Sequence, residues 1–177
     1  DPESGDRWDE TIKPISYGNH NQLLYERWVE QRREMTEEIS GGRLGYVHVR
    51  SMGSQSFREV YSEILGRHHE KEAIIVDTRF NGGGWLHNDL AILLNGQKYV
   101  ELWPNGKKYG HEPMNQWIKP SAVLMSESNY SDAHFFPYTY TTLNLGTTIG
   151  MPVPGTATAV WWETLLDPKL YFGIPQV

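Results

Sequence analysis

The stretch Ala73-Ile74-Ile75-Val76-Asp77-Thr78-Arg79-Phe80-Asn81-Gly82-Gly83-Gly84-Trp85 decides how this chain reads. Its first four residues are a continuous apolar run of strand length, the pattern of a strand covered on both faces. Three consecutive glycines follow. Leu86, Leu90, Leu93 and Leu94 then recur at helical spacing. The unit is strand, glycine loop, helix. A second unit of the same kind lies downstream. Ala122-Val123-Leu124-Met125 is a buried strand, Ser126-Glu127-Ser128-Asn129-Tyr130 a loop, and Ser131 to Leu143 a helix. Buried strands alternating with helices predict an α/β domain with a largely parallel sheet.

Working outward, Leu44-Gly45-Tyr46-Val47-His48-Val49 has strand composition. A helix capped by Ser54 follows it. Phe57, Val60, Tyr61, Ile64 and Leu65 form its apolar stripe, and Gly66 closes it. Upstream, residues 21–39 are helical, with Leu24, Trp28, Met35 and Ile39 near one face and Ser40-Gly41-Gly42 as the stop. Residues 1–20 read as an arm, with room for a short strand from Trp8 to Ile15. Residues 95–119 read as irregular, punctuated by Asn95-Gly96 and Pro104-Asn105-Gly106. Thr147–Ile149, Thr158–Thr164 and Leu170–Ile174 are strand-like. His68 and His69 sit in a charged loop and are expected to be solvated.

Composition excludes several classes. The chain has 177 residues, 16 Lys+Arg against 22 Asp+Glu, and no cysteine. That length suits one domain burying roughly 70% of its unfolded surface. Without cysteine there is no disulfide scaffold, thiol nucleophile or Cys-based zinc site. The net charge of -6 and the lack of a basic run argue against nucleic acid as a partner. Apolar runs fall far short of the ~18 residues that span a membrane. The opening Asp1-Pro2-Glu3-Ser4-Gly5-Asp6 has neither a basic nor an apolar region, so it does not read as a signal peptide. Aromatic residues make up 12% of the chain, a load that suggests aromatic surface beyond the core.

In open α/β sheets ligands bind beyond the strand C-termini. Both loops, residues 79–85 and 126–131, are therefore candidate sites. Gly82-Gly83-Gly84 lets backbone N–H groups approach a ligand, and the following helix start adds partial positive charge. Such a loop can form an oxyanion hole or hold a phosphate. No Gly-Lys-Ser/Thr follows it, and the G-x-G-x-x-G spacing is absent. A tight turn between strand and helix is the competing reading. Ser131 stands at the second junction, where a hydroxyl nucleophile would sit. A helix N-cap is the competing reading there. His87 lies just after the glycines, and His134 is one helical turn from Ser131. With Gly83, they are the candidates for lining a substrate pocket. No histidine spacing makes a metal site.

The motifs Gly45-Tyr46-Val47-His48-Val49, Ile75–Gly84 and Glu127-Ser128-Asn129-Tyr130-Ser131-Asp132 occur here in order. Leu145-Gly146-Thr147-Thr148-Ile149-Gly150 and Gly173-Ile174-Pro175-Gln176-Val177 extend the series. Together they resemble the tricorn branch of the C-terminal processing peptidase family of serine proteases, over residues 20–177. The resemblance implies a Clp protease/crotonase-like α/β core, its largely parallel sheet flanked by helices, with an N-terminal arm. It implies that residues 1–20 end a PDZ-like module and that residues 21–177 are a peptidase core truncated at both ends. Ser131 would be the nucleophile. The N–H groups of Gly84 and Asp132 would be the oxyanion hole. The general-base His would lie upstream, and the Glu completing the tetrad downstream, so the fragment is expected to be inactive alone. Pro154-Gly155-Thr156-Ala157 carries no Lys, which disfavours a Ser–Lys dyad. The substrate would be a peptide and the protein a homo-oligomer, with no cofactor or metal implied. A periplasmic and a cytoplasmic location both stay open. The alternative is a non-catalytic ligand- or peptide-binding module on the same fold, with Phe135, Phe136, Trp161 and Trp162 lining its pocket. A crotonase-type acyl-CoA enzyme is a third reading, opposed by the Ser-Asp pair at the helix start.

Overall fold

The computed structural model describes residues 4, 5, 7 and 9–176. Its elements, in chain order, are α1 (Tyr17–Ser40), β1 (Leu44–His48), α2 (Ser54–Ser62), β2 (Ala73–Asp77), α3 (His87–Leu94), β3 (Val100–Leu102), β4 (Gly110–Glu112), β5 (Ser121–Met125), α4 (Asp132–Thr142), β6 (Thr147–Gly150), β7 (Val160–Thr164) and β8 (Tyr171–Pro175). A π turn, Glu63–Arg67, extends α2. A 3-10 turn, Pro104–Gly106, separates β3 from β4.

Strands β1, β2, β5 and β6 form one parallel sheet in that order. Val47, Val76 and Val123 lie in register across its middle and are all buried. Branched side chains suit a pleated surface covered by helices. Over them pack Val60 and Ile64, then Leu90, Leu93 and Leu94 of α3, then Phe136 and Tyr140 of α4. Of the apolar residues of β2, Ile74 and Val76 are buried, while Ile75 is half-buried. The expected double burial is thus complete on one face of the sheet and partial on the other.

The amphipathic stripe from Phe57 to Leu65 holds, running from α2 into the π turn. Gly53 is the N-cap, and Ser54 is the first helical residue rather than the cap. Helix α1 starts at Tyr17, because the Ser16 hydroxyl accepts from Asn19 N at 3.2 Å. It therefore claims the last residues of the expected arm. Residues 9–15 form no strand, and Trp8 lies outside the described residues. The inner face of α1 also differs from expectation. Trp28 does face inward, edge-on to His48 at 4.9 Å and to Phe80 at 6.2 Å. Leu24, Met35 and Ile39 are exposed, Ile39 at 80%. Val29 takes their place together with Tyr25, Arg32 and Arg33, long amphipathic side chains that cover surface while keeping polar ends wet. Residues 95–119 are not irregular throughout: β3 and β4 pair as an antiparallel hairpin. The β7–β8 hairpin is likewise antiparallel and pairs with no strand of the parallel sheet. No helix among the described residues is long and apolar enough to cross a membrane.

His68 is buried, at 3% exposure, not solvated as its charged neighbours suggest. Its Nε2–H donates to Tyr46 O at 3.1 Å. Gly45 makes the room: a Cβ there would stand 2.7 Å from the imidazole. Burial pushes the His68 pKa below its ordinary 6.5, against the nearby Glu63. His48 is pushed down by burial too.

Two outcomes follow from this packing. Phe136 is fully buried, so Phe136→Ala should cost about 3–5 kcal/mol of unfolding free energy, measured by urea denaturation. The two histidines are neutral in the fold and bind protons more readily when unfolded. Their contribution is therefore complete above pH 6.5 and is lost as pH falls through the lowered folded-state values. The thermal midpoint should drop between pH 7 and pH 5, and His68→Gln should flatten that drop.

Candidate active site

Loops leave the C-terminal ends of β2 and β5, neighbouring strands at the middle of the sheet, and so meet. The first loop stands on a buried charge. Asp77 is fully buried, and Arg79 grips its carboxylate through Nε at 3.0 Å and Nη2 at 2.6 Å. Tyr46 donates its hydroxyl to the same carboxylate at 2.8 Å. Removing one partner from such a group would leave an uncompensated charge in the interior. His48 fixes the next step. Burial raises the Tyr25 pKa to about 12, so its hydroxyl stays protonated and donates to His48 Nδ1 at 2.9 Å. That leaves Nε2–H to donate to Arg79 O at 3.0 Å.

Asn81 is the hinge between the loops. Its side-chain amide donates to Val49 O at 2.7 Å, and its side-chain oxygen accepts from Gly83 N at 2.8 Å. Its backbone carbonyl accepts from Tyr130 N at 3.0 Å. Met52 then clamps the glycines: Met52 N donates to Gly83 O at 3.0 Å and Trp85 N to Met52 O at 2.7 Å. Only glycine fits at two of the three positions. Gly83 has φ +95° and Gly84 φ +141°. A Cβ on Gly84 would lie 2.1 Å from Met52 O, and one on Gly83 would lie 2.7 Å from Ser131 Cβ. The tight-turn reading of this triplet is thus part of the answer, but the turn presses directly on Ser131.

The second loop is held by Asn129, also fully buried. Its amide donates to Thr78 Oγ1 at 2.8 Å and to Ala133 O at 3.0 Å. Ser131 occupies the N-cap position of α4, yet its side chain caps nothing. Its backbone sits at φ 54°, ψ -122°, a strained conformation costing about 1–3 kcal/mol. Ser131 N donates to Thr156 Oγ1 at 3.3 Å.

Asp132 joins the two loops. Its carboxylate is buried and accepts from Leu86 N at 2.6 Å, His87 N at 3.0 Å and His87 Nδ1–H at 2.5 Å. It thereby caps the start of α3 from the start of α4. The backbone N–H groups of Gly84 and Asp132 have no protein acceptor among the described residues. Both residues line a pocket of about 280 Å³, together with Trp85, Tyr130, Ser131, Phe135, Thr158, Ala159, Val160 and Trp162.

The structure brings Ser131, Asp132, Gly83, Gly84 and His87 into one cluster. Gly83 and His87 do not line that pocket. Gly83 packs beneath Ser131, and His87 is bound to Asp132 with its ring stacked on Phe135 at 5.2 Å. His134 is also not among the lining residues; its Nδ1 is enclosed without a hydrogen-bond partner. No histidine among the described residues hydrogen-bonds the Ser131 hydroxyl. Of the aromatics expected around an apolar pocket, Phe135 and Trp162 line this one, while Phe136 is core. Sequence reasoning gave no role to Asn81, Asn129, Thr156 or the Asp132 carboxylate. The only signal for the asparagines was their place beside the glycine and serine motifs.

Comparison with known proteins bears on the family and the fold. Residues 43–176 match the model of peptidase family S41. The chain is 32% identical over 157 residues to a tricorn protease homolog of Saccharolobus solfataricus, covering 87% of this chain and 14% of that protein. It is 32% identical over 128 residues to the tricorn protease of Thermoplasma volcanium, covering 72% of this chain and 12% of that protein. The crystal structure of the tricorn protease superposes with a TM-score of 0.69 at 28% identity, over 80% of this chain and 14% of that one. The chain thus spans a small part of the length of these relatives. A matching family model over most of the chain and a fold shared with the tricorn protease agree, and the chain belongs to the serine peptidase family S41, on its tricorn-like side.

Proposed function

We propose that this chain carries the nucleophile and the oxyanion hole of a serine peptidase that hydrolyses peptide bonds through an acyl-enzyme on Ser131. One observation carries the reading. Ser131 is held in a strained backbone conformation at a helix start, with its hydroxyl unused for capping and a glycine backbone packed against it. Strain of this kind at a strand-to-helix turn projects a nucleophile above its loop.

The chemistry proceeds in two halves. Ser131 Oγ attacks the carbonyl carbon of the scissile peptide. The oxygen that gains negative charge is held by the N–H groups of Gly84 and Asp132. Two donors fixed in advance need no rearrangement when the charge appears, and one such donor is worth roughly 10²–10³ in rate. The amine leaves with a proton; water then attacks the acyl-serine, the ester bond to Oγ breaks, and the acid departs as the Ser131 hydroxyl is restored. The Ser131 proton needs a base. His87 is engaged by Asp132 and packed between Trp85 and Phe135; following the family resemblance, the base is proposed to be a His upstream of this chain. Residues 1–20 are proposed to lead out of a PDZ-like module. The acceptor-free amides and the pocket around them support a peptide substrate.

Two tests read this site. In the full-length protein, Ser131 should be labelled by a fluorophosphonate, and Ser131→Ala should remove both labelling and peptide hydrolysis. Equal hydrolysis by the two proteins would overturn the proposal, and failure to label would favour a binding module. Asp132→Asn keeps the size of the side chain but weakens its three-donor anchor. It should lower kcat by roughly tenfold or more with little change in KM, because misplaced donors cost transition-state stabilisation.

A further inference from the structure

A second cavity lies at the end of the sheet away from Ser131. Its volume is about 430 Å³. Its lining comes from the π turn after α2, the turn before β2, strand β4 and the segment leading into β5. Leu65, Tyr109, Met114, Trp117 and Ile118 make that lining mostly apolar. Small-molecule sites of roughly 300–1,000 Å³ are built in this way. Tyr109 and Met114 are 72% and 49% exposed, so part of the apolar wall faces solvent.

The wall is preformed. Trp117 is buried, its backbone N–H donates to Leu93 O at 2.7 Å, and its indole N–H donates to Pro120 O at 3.0 Å. Gln116 is tied to the same end of α3, its Nε2 donating to Ile92 O at 2.6 Å. On the opposite side β4 is paired with β3, and Tyr109 N donates to Leu102 O at 2.8 Å. A wall fixed before binding has little order left to lose on binding.

The charge here is one-sided. No Asp or Glu lines the cavity, whereas Lys119 does, its ammonium over the Trp117 ring at 5.0 Å. Two of its three N–H donors go to backbone carbonyls, His69 O at 2.5 Å and Lys71 O at 2.6 Å. The third has no acceptor among the described residues. Those residues hold ion pairs of Lys71, Lys98 and Lys108, but none of Lys119. Partial burial pulls the Lys119 pKa below the ordinary 10.5, opposed by Glu70, and Glu70 lies 3.6 Å from His69 Nε2. A half-buried cation without a counter-charge thus borders an open apolar wall.

We propose that this cavity binds a small monocarboxylate with an apolar, ring-sized body. The body covers Trp117, Met114 and Tyr109, removing its own surface and theirs from water. The carboxylate accepts the remaining Lys119 N–H and supplies the missing charge, in a setting where opposite charges attract more strongly than in bulk water. A phosphate dianion calls for several donors at once, and one spare N–H does not provide them. An amine meets a like charge. The cavity sits at the N-terminal ends of β2 and β5, while Ser131 and the glycines lie beyond the C-terminal ends, so the inference stands apart from the acyl-enzyme reading.

Calorimetric titration of the full-length protein tests it with 3-phenylpropionate, 3-phenylpropanamide and 3-phenylpropylamine, which share one body and differ in the head. The acid should bind with a Kd of about 1 mM or tighter, ordinary for a ligand of this size. The amide should bind roughly tenfold more weakly, and the amine more weakly still. Lys119→Gln keeps a donor for a carbonyl but removes the charge, and should bring the acid down to the level of the amide. Met114→Glu adds a carboxylate at an exposed position of the wall, and should remove acid binding while the thermal midpoint stays in place. Equal affinity for acid and amide, no saturation by about 10 mM acid, or acid binding that both variants leave intact overturns the inference.

Discussion

The buried carboxylate of Asp132 accepts three hydrogen bonds from the opposite loop. Everything near Ser131 depends on that. The glycine loop and the serine loop leave different strands and are separated by more than forty residues of chain. Neither has a reason of its own to stop at the distance the site needs. A carboxylate withdrawn from water must be satisfied, and only the start of α3 satisfies this one. The demand of one charge for partners thus becomes a fixed spacing between two loops. The same logic operates one layer down, where Asp77 ties Arg79 and Tyr46 together below the glycines.

Around these charges lies a set of neutral amides. Asn81 and Asn129 are fully buried and each bridges more than one segment. They work as side-chain substitutes for backbone pairing in loops that have no ladder of their own. Buried networks of this type reward complete satisfaction and penalise partial satisfaction. The strain at Ser131 is held by this lattice: α4 starts directly after it, Gly83 packs against it, and Thr156 receives its N–H.

How much of this the sequence disclosed depended on whether the signal was local. Strands β1, β2 and β5 were legible because buried parallel strands leave continuous apolar runs. Helices α3 and α4 were legible from leucine spacing and from the serine at a junction. The β3–β4 hairpin was not, since three-residue strands such as Gly110–Glu112 are short and largely polar. The inner face of α1 was misphased because Tyr25 and the arginines make contacts that a count of apolar residues ignores. At the site, Gly83, Gly84 and Ser131 were readable as residue types at strand ends. Trp162 was readable as a pocket aromatic, but the carboxylate of Asp132 and the wall at Val160 were not. Their partners lie far away in sequence, and no spacing rule connects them.

The separate ladder of the β7–β8 hairpin has an evolutionary consequence. Its strands pair with each other and with no strand of the parallel sheet. The proposed oxyanion donors, Gly84 and Asp132, belong to loops of the sheet, while the Val160 and Trp162 surface hangs from the hairpin. Drift in the hairpin can reshape that surface without disturbing the Asp132 anchor. The proposed chemistry and the wall of its pocket thus rest on separate pieces of backbone, and one can change while the other is kept.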